Sequence, residues 1–596
     1  MKRTLKYSLL LALVLFLFGP LYKKIDPFEK AFKALPVQHQ GRIKPMDTVA
    51  RNALLQLSSK QSAYDEKGQK ISACQWLMQL LLKSPVADTY ACFRVSHPEV
   101  LSFLKQAHDK PSLLSYQDIE PSIKELYLAA DRIKEPLSTF EKQLKHLCAT
   151  MSVYQGLKYS LFPSQTSVDV FLDYKSWLDS IPLGTKAIQA KALGQSYSSD
   201  DLDLFIHQAD YYLRLVRVAT LGLVPEGTSP QWSNSAQLYL DCLLGSEPPA
   251  LLAYMDLLRA YQAEDLVAFM KDTQVISTLS KEHYSWLKIQ TELIFNQLQY
   301  FYKLALLYVW VFVLVFIYWI FKKKFIYQGL VYTLNFAFIA HTLGMGLRMY
   351  LQGRPPVTNL YSSAVFVAWA AVGLCLVFEY FHKNAFMACV ASMLGSIALT
   401  VAHHLSIGEE TIEVMRAVLD SNFWLSTHVV TVSLGYSSMF VSGFLGIIYV
   451  FQSLLRAKPE TLNGLYRMAY ASACFALLFS FIGTMLGGLW ADMSWGRFWG
   501  WDPKENGALL IILWGAITLH ARIGKIVEQR GFMLLNIFGN IVTAWSWFGT
   551  NMLGVGLHSY GFMDKAFSVL AYFVASQILC IGIGLFVESV DRKIDL

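Results

Sequence analysis

The chain has 596 residues, of which 54% are hydrophobic and 16% are charged, and its mean hydropathy is +0.35. This balance excludes an ordinary water-soluble protein. The formal net charge of +7 does not indicate nucleic-acid binding, because many basic residues lie in short loops between long apolar runs, as they do in membrane proteins.

The first predicted element is an apolar run over residues 5–22, which follows two basic residues at the start of the chain. It is either a cleaved signal peptide or a retained anchor. The sequence around Pro20 lacks a small-residue cleavage site, so we predict an anchor over residues 1–23. In both interpretations the basic residues stay in the cytoplasm and the following region is exported.

Residues 24–300 are predicted to form an exported, mainly helical domain. Apolar residues recur at helical spacing in several stretches, and prolines mark the turns between them. The histidines of this region are scattered among polar neighbours and form no catalytic constellation. A run of turn-forming and polar residues over 35–48 is either a docking segment near the membrane or a structured loop.

The rest of the chain contains nine further apolar runs, each about as long as a membrane-spanning helix. With the anchor, they predict an all-α polytopic membrane protein of about ten transmembrane helices, with the exported domain between the first and second. Lysine and arginine cluster in alternate loops, which places both termini inside and the protein in the inner (cytoplasmic) membrane. The predicted spans are 302–321, 328–348, 360–380, 385–402, 428–452, 468–488, 507–522, 533–552 and 566–588.

Between two of these runs lies a segment with three tryptophans in seven residues, Trp495, Trp499 and Trp501. Indole rings form a large flat apolar surface with N–H donors at its edge. By the loop alternation this segment lies at the outer face of the membrane. It is either an aromatic belt at the membrane interface or the wall of a site for a large planar ligand.

Two histidines flank the tryptophan segment in sequence and are predicted on the same outer side. His428 opens a span, and His558 follows one. Two neutral imidazoles facing each other across an aromatic surface form a bis-histidine site for haem iron, whereas zinc lacks a third or fourth ligand at suitable spacing. The alternative is that each histidine is an interfacial hydrogen-bonding residue.

Two more histidines lie within spans, where polar residues are costly and often functional. His520 is near the inner end of its helix and His341 is nearer mid-membrane. They indicate either a second, deeper haem site or buried histidines bonded to neighbouring helices. The adjacent outer residues His403 and His404 point apart on a helix, so they do not form one metal site.

The eight cysteines include no C-x-x-C pair, which argues against a thiol–disulfide relay. The four in the exported region have pairings that spacing alone does not decide. The four in the spans are predicted to be small packing residues.

The segment from Trp495 to Glu505 resembles the WWD signature of haem-handling proteins. Its flanks resemble the CcsA branch, the System II cytochrome c synthases, and the likeness covers most of residues 301–590. The supporting stretches are Trp424–Val430, Leu557–Gly561 and Arg348–Tyr361. The chain departs from the family pattern at Ser362, where related chains often have an acidic residue.

The resemblance implies that residues 301–596 are a haem-handling membrane domain with a WWD segment over 490–505. It implies that His428 and His558 are the outer axial pair of haem b, with His520 as a deeper ligand whose partner is His341 or a separate CcsB (ResB-like) subunit. It also implies a set of residues that line the haem face, take part in catalysis or hold a propionate. The set is Trp490, Trp495, Trp499, Trp501, Asp502, Arg497 and Lys504.

The activity implied is that of a cytochrome c haem lyase, which joins haem b to the C-x-x-C-H segment of apocytochrome c through thioether bonds. Its implied partners are apocytochrome c, the CcsB/ResB-like subunit, thiol-reducing pathway proteins and the lipid bilayer. Three alternatives remain open: a haem exporter without ligase activity, a bis-histidine haem b electron carrier, and a transporter in which the tryptophans are only a belt. The carrier is disfavoured because the histidines lie on different helices.

Overall fold

The computed structural model describes residues 3–22, 25–105, 112–134, 138–162, 170–226, 231–245, 247–407, 411–412, 415, 419–553 and 564–594. The described chain is largely α-helical, and its only sheets are two-stranded. It divides into two compact units. We call residues 21–297 with 407–414 the globular unit, and the remaining residues the membrane unit. The predicted class, an all-α polytopic membrane protein, is confirmed.

The first apolar run forms a helix of 16 residues, α1 (Arg3–Phe18), followed by one 3-10 turn over Gly19–Tyr22. This is shorter than a full membrane span, so the run counts as a short apolar helix. The next helices belong to the globular unit. They are α2 Pro27–Phe32, α3 Met46–Ser58, α4 Ala73–Leu81, α5 Pro98–Phe103, α6 Tyr116–Ile119, α7 Ile123–Asp131, α8 Thr139–Lys158, α9 Val170–Ala192, α10 Ser199–Val218, α11 Ser235–Asp241, α12 Pro249–Gln262, α13 Leu266–Leu279 and α14 Trp286–Leu298.

Four antiparallel two-stranded sheets connect these helices. Local sequence sets where the helices begin: Ser138 and Glu141, for example, form a capping box that satisfies the first free N–H groups of α8. Large apolar side chains from most of the helices converge on one core, in which Trp76, Tyr154 and Trp177 are fully buried. The strands are β1 Pro36–His39, β2 Arg42–Pro45, β3 Ser62–Tyr64, β4 Lys70–Ser72, β5 Phe93–Val95, β6 Ser112–Leu114, β7 Val224–Pro225 and β8 Trp232–Ser233.

The polar stretch 35–48 is an ordered part of this unit. It forms the hairpin β1–β2 and the start of α3. Arg42 makes two hydrogen bonds, of 2.6 and 2.8 Å, to the carboxylate of Glu292 on α14, and Thr48 donates a third. Asn296 on the same helix donates to Asp47 and Thr48. A buried carboxylate with several donors is compensated, so this stretch holds α14 in place.

Among the described residues, nine helices are long and apolar enough to cross a membrane, which supports a multi-pass protein. Each overlaps one of the predicted spans. Two of them contain a single turn of π-helix, at Leu425–Val429 and Trp545–Gly549. Eleven helical segments make up these nine spans, because the π-turns join α19 to α20 and α23 to α24. The segments are α15 Tyr300–Phe321, α16 Lys324–Gln352, α17 Leu360–His382, α18 Phe386–Leu405, α19 Asn422–Trp424, α20 Val430–Leu454, α21 Pro459–Trp495, α22 Pro503–Ile523, α23 Gln529–Ala544, α24 Thr550–Met552 and α25 Asp564–Ile594.

The centre of the membrane unit is helix α20, which packs against α21 and α23 through small residues. A Cβ added at Gly435 would lie 2.3 Å from Ser480 Oγ, and one at Gly443 would lie 2.1 Å from Asn540 Oδ1. Interhelical hydrogen bonds supplement this close approach: Ser442 donates to Asn536 over 2.7 Å. Lipid tails are as apolar as leucine, so close packing and polar contacts hold such helices together.

All eight cysteines are free thiols in the structure. The four in the globular unit are buried, and burial raises the pKa of Cys148 and of Cys242 to about 11. A buried thiol with a raised pKa is poorly reactive, so these cysteines have a packing role.

Candidate functional site

A cleft opens at one end of the membrane unit, and its empty space including the mouth is about 1310 Å³. Residues of α17, α20, α21, α22 and both π-turns line it. The lining combines aromatic rings with hydroxyl, amide and charged groups. The lining is Val357, Thr358, Asn359, Leu360, Ser363, Val367, Met415, Leu419, Leu425, His428, Val429, Val432, Ser433, Tyr436, Thr484, Gly487, Gly488, Trp490, Ala491, Ser494, Trp495, Phe498, Trp499, Lys504, Glu505, Ala508 and Trp547.

His428 lies on this wall, within the first π-turn. Its Nδ1 lies 2.7 Å from the carbonyl oxygen of Gly483 on α21. A carbonyl only accepts, so Nδ1 carries the proton and donates, and Nε2 is the nitrogen with the lone pair. Metal-ligating histidines usually have their other ring nitrogen bonded in this way. His428 therefore has the tautomer that an iron ligand at Nε2 needs.

The two π-turns are both at the cleft. The first contributes Leu425, His428 and Val429 to its wall, and the second contributes Trp547. A π-turn places one extra residue in a helical turn and is frequent at functional sites. Trp547 is fixed there by a hydrogen bond of 3.0 Å from its Nε1 to Ser363 Oγ on α17.

The aromatic side of the cleft begins beside His428. Trp490 lies edge-on to the imidazole with ring centroids 5.9 Å apart, and it stacks on Trp424 at 6.4 Å and 9°. Trp495 and Trp499 continue this wall. Trp501 is 71% exposed and stays outside the lining, where it meets Trp499 edge-on at 6.2 Å. The structure thus brings three of the four predicted tryptophans to one cleft.

Carboxylates hold in shape the loop over residues 496–502, between α21 and α22, which we call the tryptophan loop. Asp502 and Glu505 form the capping box of α22, and Glu505 also accepts a hydrogen bond of 2.7 Å from the N–H of Gly500. Arg497 forms an ion pair of 3.5 Å with Glu505 and lies over the ring of Trp495. These contacts give Asp502 and Glu505 a positioning role, and Arg497 is not part of the lining.

Lys504 lines the cleft, and its ammonium donates to the carbonyl oxygens of Ser546 and Trp547. Both carbonyls belong to the second π-turn, where the regular helical hydrogen bonds are interrupted. Lys504 therefore stabilises that turn, in addition to its predicted role toward a carboxylate of the ligand.

His558 lies outside the described residues, so its pairing with His428 stays a prediction. The two histidines predicted at depth are not brought together. His341 is fully buried, with its Nδ1 3.1 Å from the hydroxyl of Tyr308, whereas His520 is exposed and donates within its own helix to the carbonyl of Ala516. In the described part of the chain, no three histidine, cysteine, aspartate or glutamate side chains converge on a metal site.

Several lining residues were not predicted from the sequence. Gly487 and Gly488 admit the rings of His428 and Phe498 against α21, and Tyr436 donates to or accepts from Ser546 over 3.2 Å. The spacing Gly483-x-x-x-Gly487 is a sequence signal for close helix approach and could have marked this face. Trp547 had no such signal, because its place depends on the π-turn.

The family described as cytochrome C assembly protein matches residues 357–558, a range that includes the walls of the cleft. The chain is 33% identical to Protein NrfI of Wolinella succinogenes over 229 residues, which are 37% of this chain and 25% of that protein. It is 32% identical over 233 residues to the cytochrome c biogenesis protein CcsA of Chlamydomonas reinhardtii, covering 37% and 64% of the two chains.

It is also 30% identical over 256 residues to CcsA of Guillardia theta, covering 38% of this chain and 84% of that protein. The chain therefore spans a quarter of the length of NrfI and somewhat less than two thirds of the Chlamydomonas protein. In every one of these pairs, more than half of this chain lies outside the similar region.

Proposed function

This chain belongs to the CcsA family of cytochrome c biogenesis proteins, and from that premise we propose that it is a haem-handling subunit of a cytochrome c haem lyase. Haem b is its substrate, held at the cleft on the outer side of the inner membrane. The product is haem joined by thioether bonds to the C-x-x-C-H segment of an apocytochrome c.

The observation that carries this proposal is the position of His428. Its imidazole is fixed through Nδ1 by the Gly483 carbonyl and lies beside the ring of Trp490, which in turn stacks on Trp424. An imidazole with a fixed tautomer next to a flat aromatic wall suits an iron porphyrin, which needs an axial nitrogen and an apolar face. The open mouth leaves the substrate edge accessible to a polypeptide.

The remaining ligands follow the family resemblance. We propose His558 as the second axial ligand at the cleft. His520, on the exposed surface of α22, would act as a ligand at a deeper site shared with a CcsB/ResB-like subunit. His341 is a weaker candidate for that deeper site because its ring is enclosed by Phe301 and Tyr308.

The attachment chemistry is an addition. Each cysteine thiol of the apocytochrome adds across one vinyl group, so that a C–S bond forms and the thiol hydrogen goes to the other vinyl carbon. Atoms and electrons balance without an added oxidant, but the cysteines must arrive reduced, which explains the need for thiol-reducing pathway proteins. The histidine of the C-x-x-C-H segment then replaces one axial imidazole.

The role of this chain is to position the two reactants rather than to transfer protons. Trp490, Trp495 and Trp499 hold the ring of the substrate, while Trp501 and Asp502 shape the loop at the mouth. We assign a propionate to the cations Lys504, which lines the cleft, and Arg497, which lies within the loop. Holding two reactants in register can supply a large part of a rate enhancement.

The test is the visible spectrum of the full chain, purified in mild detergent with and without a co-expressed ResB-like subunit. We expect a Soret band with sharp reduced α and β bands. Both weaken in His428→Ala and in His558→Ala, and added imidazole restores them. In cells, the double variant should abolish cytochrome c maturation.

His404→Ala is the matched control, because His404 is an exposed histidine whose Nδ1 bonds within its own helix. It should leave both spectrum and maturation unchanged. A protein without haem even in the presence of the subunit, or intact maturation in the double variant, would show that this proposal is wrong.

A further inference from the structure

The face of α21 that meets His428 is made of glycines with a four-residue spacing, Gly483 and Gly487. A Cβ added at Gly487 would lie 2.5 Å from Cε1 and 2.9 Å from Nδ1 of the His428 ring. Carbon atoms do not approach this closely, so a methyl group at position 487 and the imidazole cannot occupy their present places together.

Gly483, one turn before Gly487, lies where α20 and α21 approach each other closely. A Cβ there would lie 2.7 Å from the backbone nitrogen of Val432 and 2.8 Å from its Cα, so the backbones of α20 and α21 approach too closely to admit a side chain at position 483. This approach brings the Gly483 carbonyl within 2.7 Å of His428 Nδ1. Within an α-helix the same carbonyl accepts from the N–H of residue 487, so two donors share it.

We propose that Gly487 is a positioning residue for the imidazole of His428. The missing side chain admits the ring flat against α21, where the Gly483 carbonyl sets its tautomer and the plane in which Nε2 is presented. The consequence for iron ligation rests on the proposed function, whereas the placement of the ring does not.

The neighbouring residue offers a matched comparison. A Cβ at Gly488 would lie 2.5 Å from the ring of Phe498 in the tryptophan loop, not from His428. Gly464, on the same helix, has no heavy atom within 4 Å of an added Cβ. Replacement by alanine raises the helix propensity equally at all three positions. Differences in stability among the three variants therefore report on what the added methyl group contacts.

The experiment is a double-mutant cycle on the full-length protein without haem, in which the midpoint of thermal unfolding is measured in detergent. We expect Gly487→Ala to lower the midpoint by about 2–4 °C or more. In a His428→Ala background, where the ring is absent, the same change should cost nothing. Gly488→Ala should cost the same in both backgrounds, and Gly464→Ala should cost nothing in either.

A second readout is the titration of each variant with hemin, followed at the Soret band. Displacing a group that orients a metal ligand typically weakens affinity about 10- to 100-fold, and we expect that loss for Gly487→Ala but not for Gly464→Ala. If wild-type protein binds no hemin through His428, the proposed function fails and the thermal cycle alone decides the placement.

The placement is overturned if Gly487→Ala lowers the unfolding midpoint equally with and without the His428 ring, or lowers it in neither background. Should Gly487→Ala fail to fold, folding of the Gly487→Ala, His428→Ala double variant would support the proposal. Failure of both would show that something other than the imidazole excludes the methyl group, and would overturn it.

Discussion

The globular unit and the membrane unit differ in what fills their helix contacts and in what they expose. In the globular unit, tryptophan, tyrosine, leucine and phenylalanine fill one continuous core. The membrane unit also buries large apolar side chains, such as Leu304, Tyr308 and Leu334, but serine, asparagine and glycine accompany them at its helix contacts. Many of its large apolar side chains point outward.

The difference follows from the solvent. Water drives large apolar side chains inside, with a gain of about 25 cal/mol for each Å² of apolar surface buried. Lipid gives no such gain, so helices associate through close backbone approach and polar contacts. A large apolar side chain on the surface of the membrane unit is therefore not destabilising, as it would be in a water-soluble protein.

The largest expected effect is in the water-driven core. Trp177 is fully buried, stacks on Phe205 and donates from Nε1 to the carbonyl of Tyr239 over 2.7 Å. Trp177→Ala should cost about 3–5 kcal/mol of unfolding free energy, because it leaves a cavity. Chemical denaturation of the globular unit within the full chain measures this. Trp286→Ala, at a tryptophan that is 65% exposed, should change stability by no more than about 0.5 kcal/mol.

The second test places one substitution on both surfaces. Leu513 on α22 is 48% exposed and Leu193 beyond α9 is 72% exposed. Leu513→Arg should cost about 3 kcal/mol in membrane insertion if α22 faces lipid, whereas Leu193→Arg should be nearly neutral in water. The fraction of chain recovered in the membrane measures both. Equal recovery of the two variants would contradict the assignment of α22 as a span.

The third test uses pH in the globular unit. Burial, with the nearby charge of Lys158, lowers the pKa of Lys83 to about 7, whereas an unfolded lysine has a pKa of about 10.4. Between these values only the unfolded state holds the proton, so stability rises with pH above about 7. From pH 7 to 8 the gain should be about 1 kcal/mol. Denaturant titrations at both pH values should show a smaller rise in Lys83→Met, and an equal rise would refute the assignment.

The smallest expected effect is a polar contact inside the membrane unit. Asn540 on α23 donates to Gln577 on α25 over 2.9 Å, and both are buried. A double-mutant cycle with Asn540→Leu and Gln577→Met should give a coupling of about 0.6 kcal/mol, and at most about 1.7. Unfolding in mixed detergent measures it. A coupling of zero would mean that shape alone holds α23 to α25.

Much of the fold could be predicted because spans in lipid must be helical and apolar over a fixed length. The first run was harder, since its helix has only 16 residues and does not reach a full span. The ordered stretch of residues 35–48 depends on Glu292 and Asn296, about 250 residues away, so local sequence left two interpretations open.

The site could be predicted in part. The tryptophans and His428 carry their chemistry in their side chains, so the sequence marks them directly. Asp502 and Glu505 have the spacing of a capping box, which could have identified their role before the structure. The contribution of Gly487 and Trp547 depends on how closely two helices approach and on a π-turn, and neither alters the apolar periodicity enough to be read from one sequence.

The two π-turns explain how helices that span a membrane can line a cleft without being interrupted. A loop within lipid would expose unpaired backbone groups, but one added residue in a turn keeps the helix continuous while rotating the following side chains by about 100°. Two of the spanning helices that line the cleft contain such an insertion, at Leu425–Val429 and Trp545–Gly549. Deleting a single residue from either turn would therefore restore a regular α-helix and turn His428 or Trp547 away from the cleft, without shortening the span below the thickness of the bilayer.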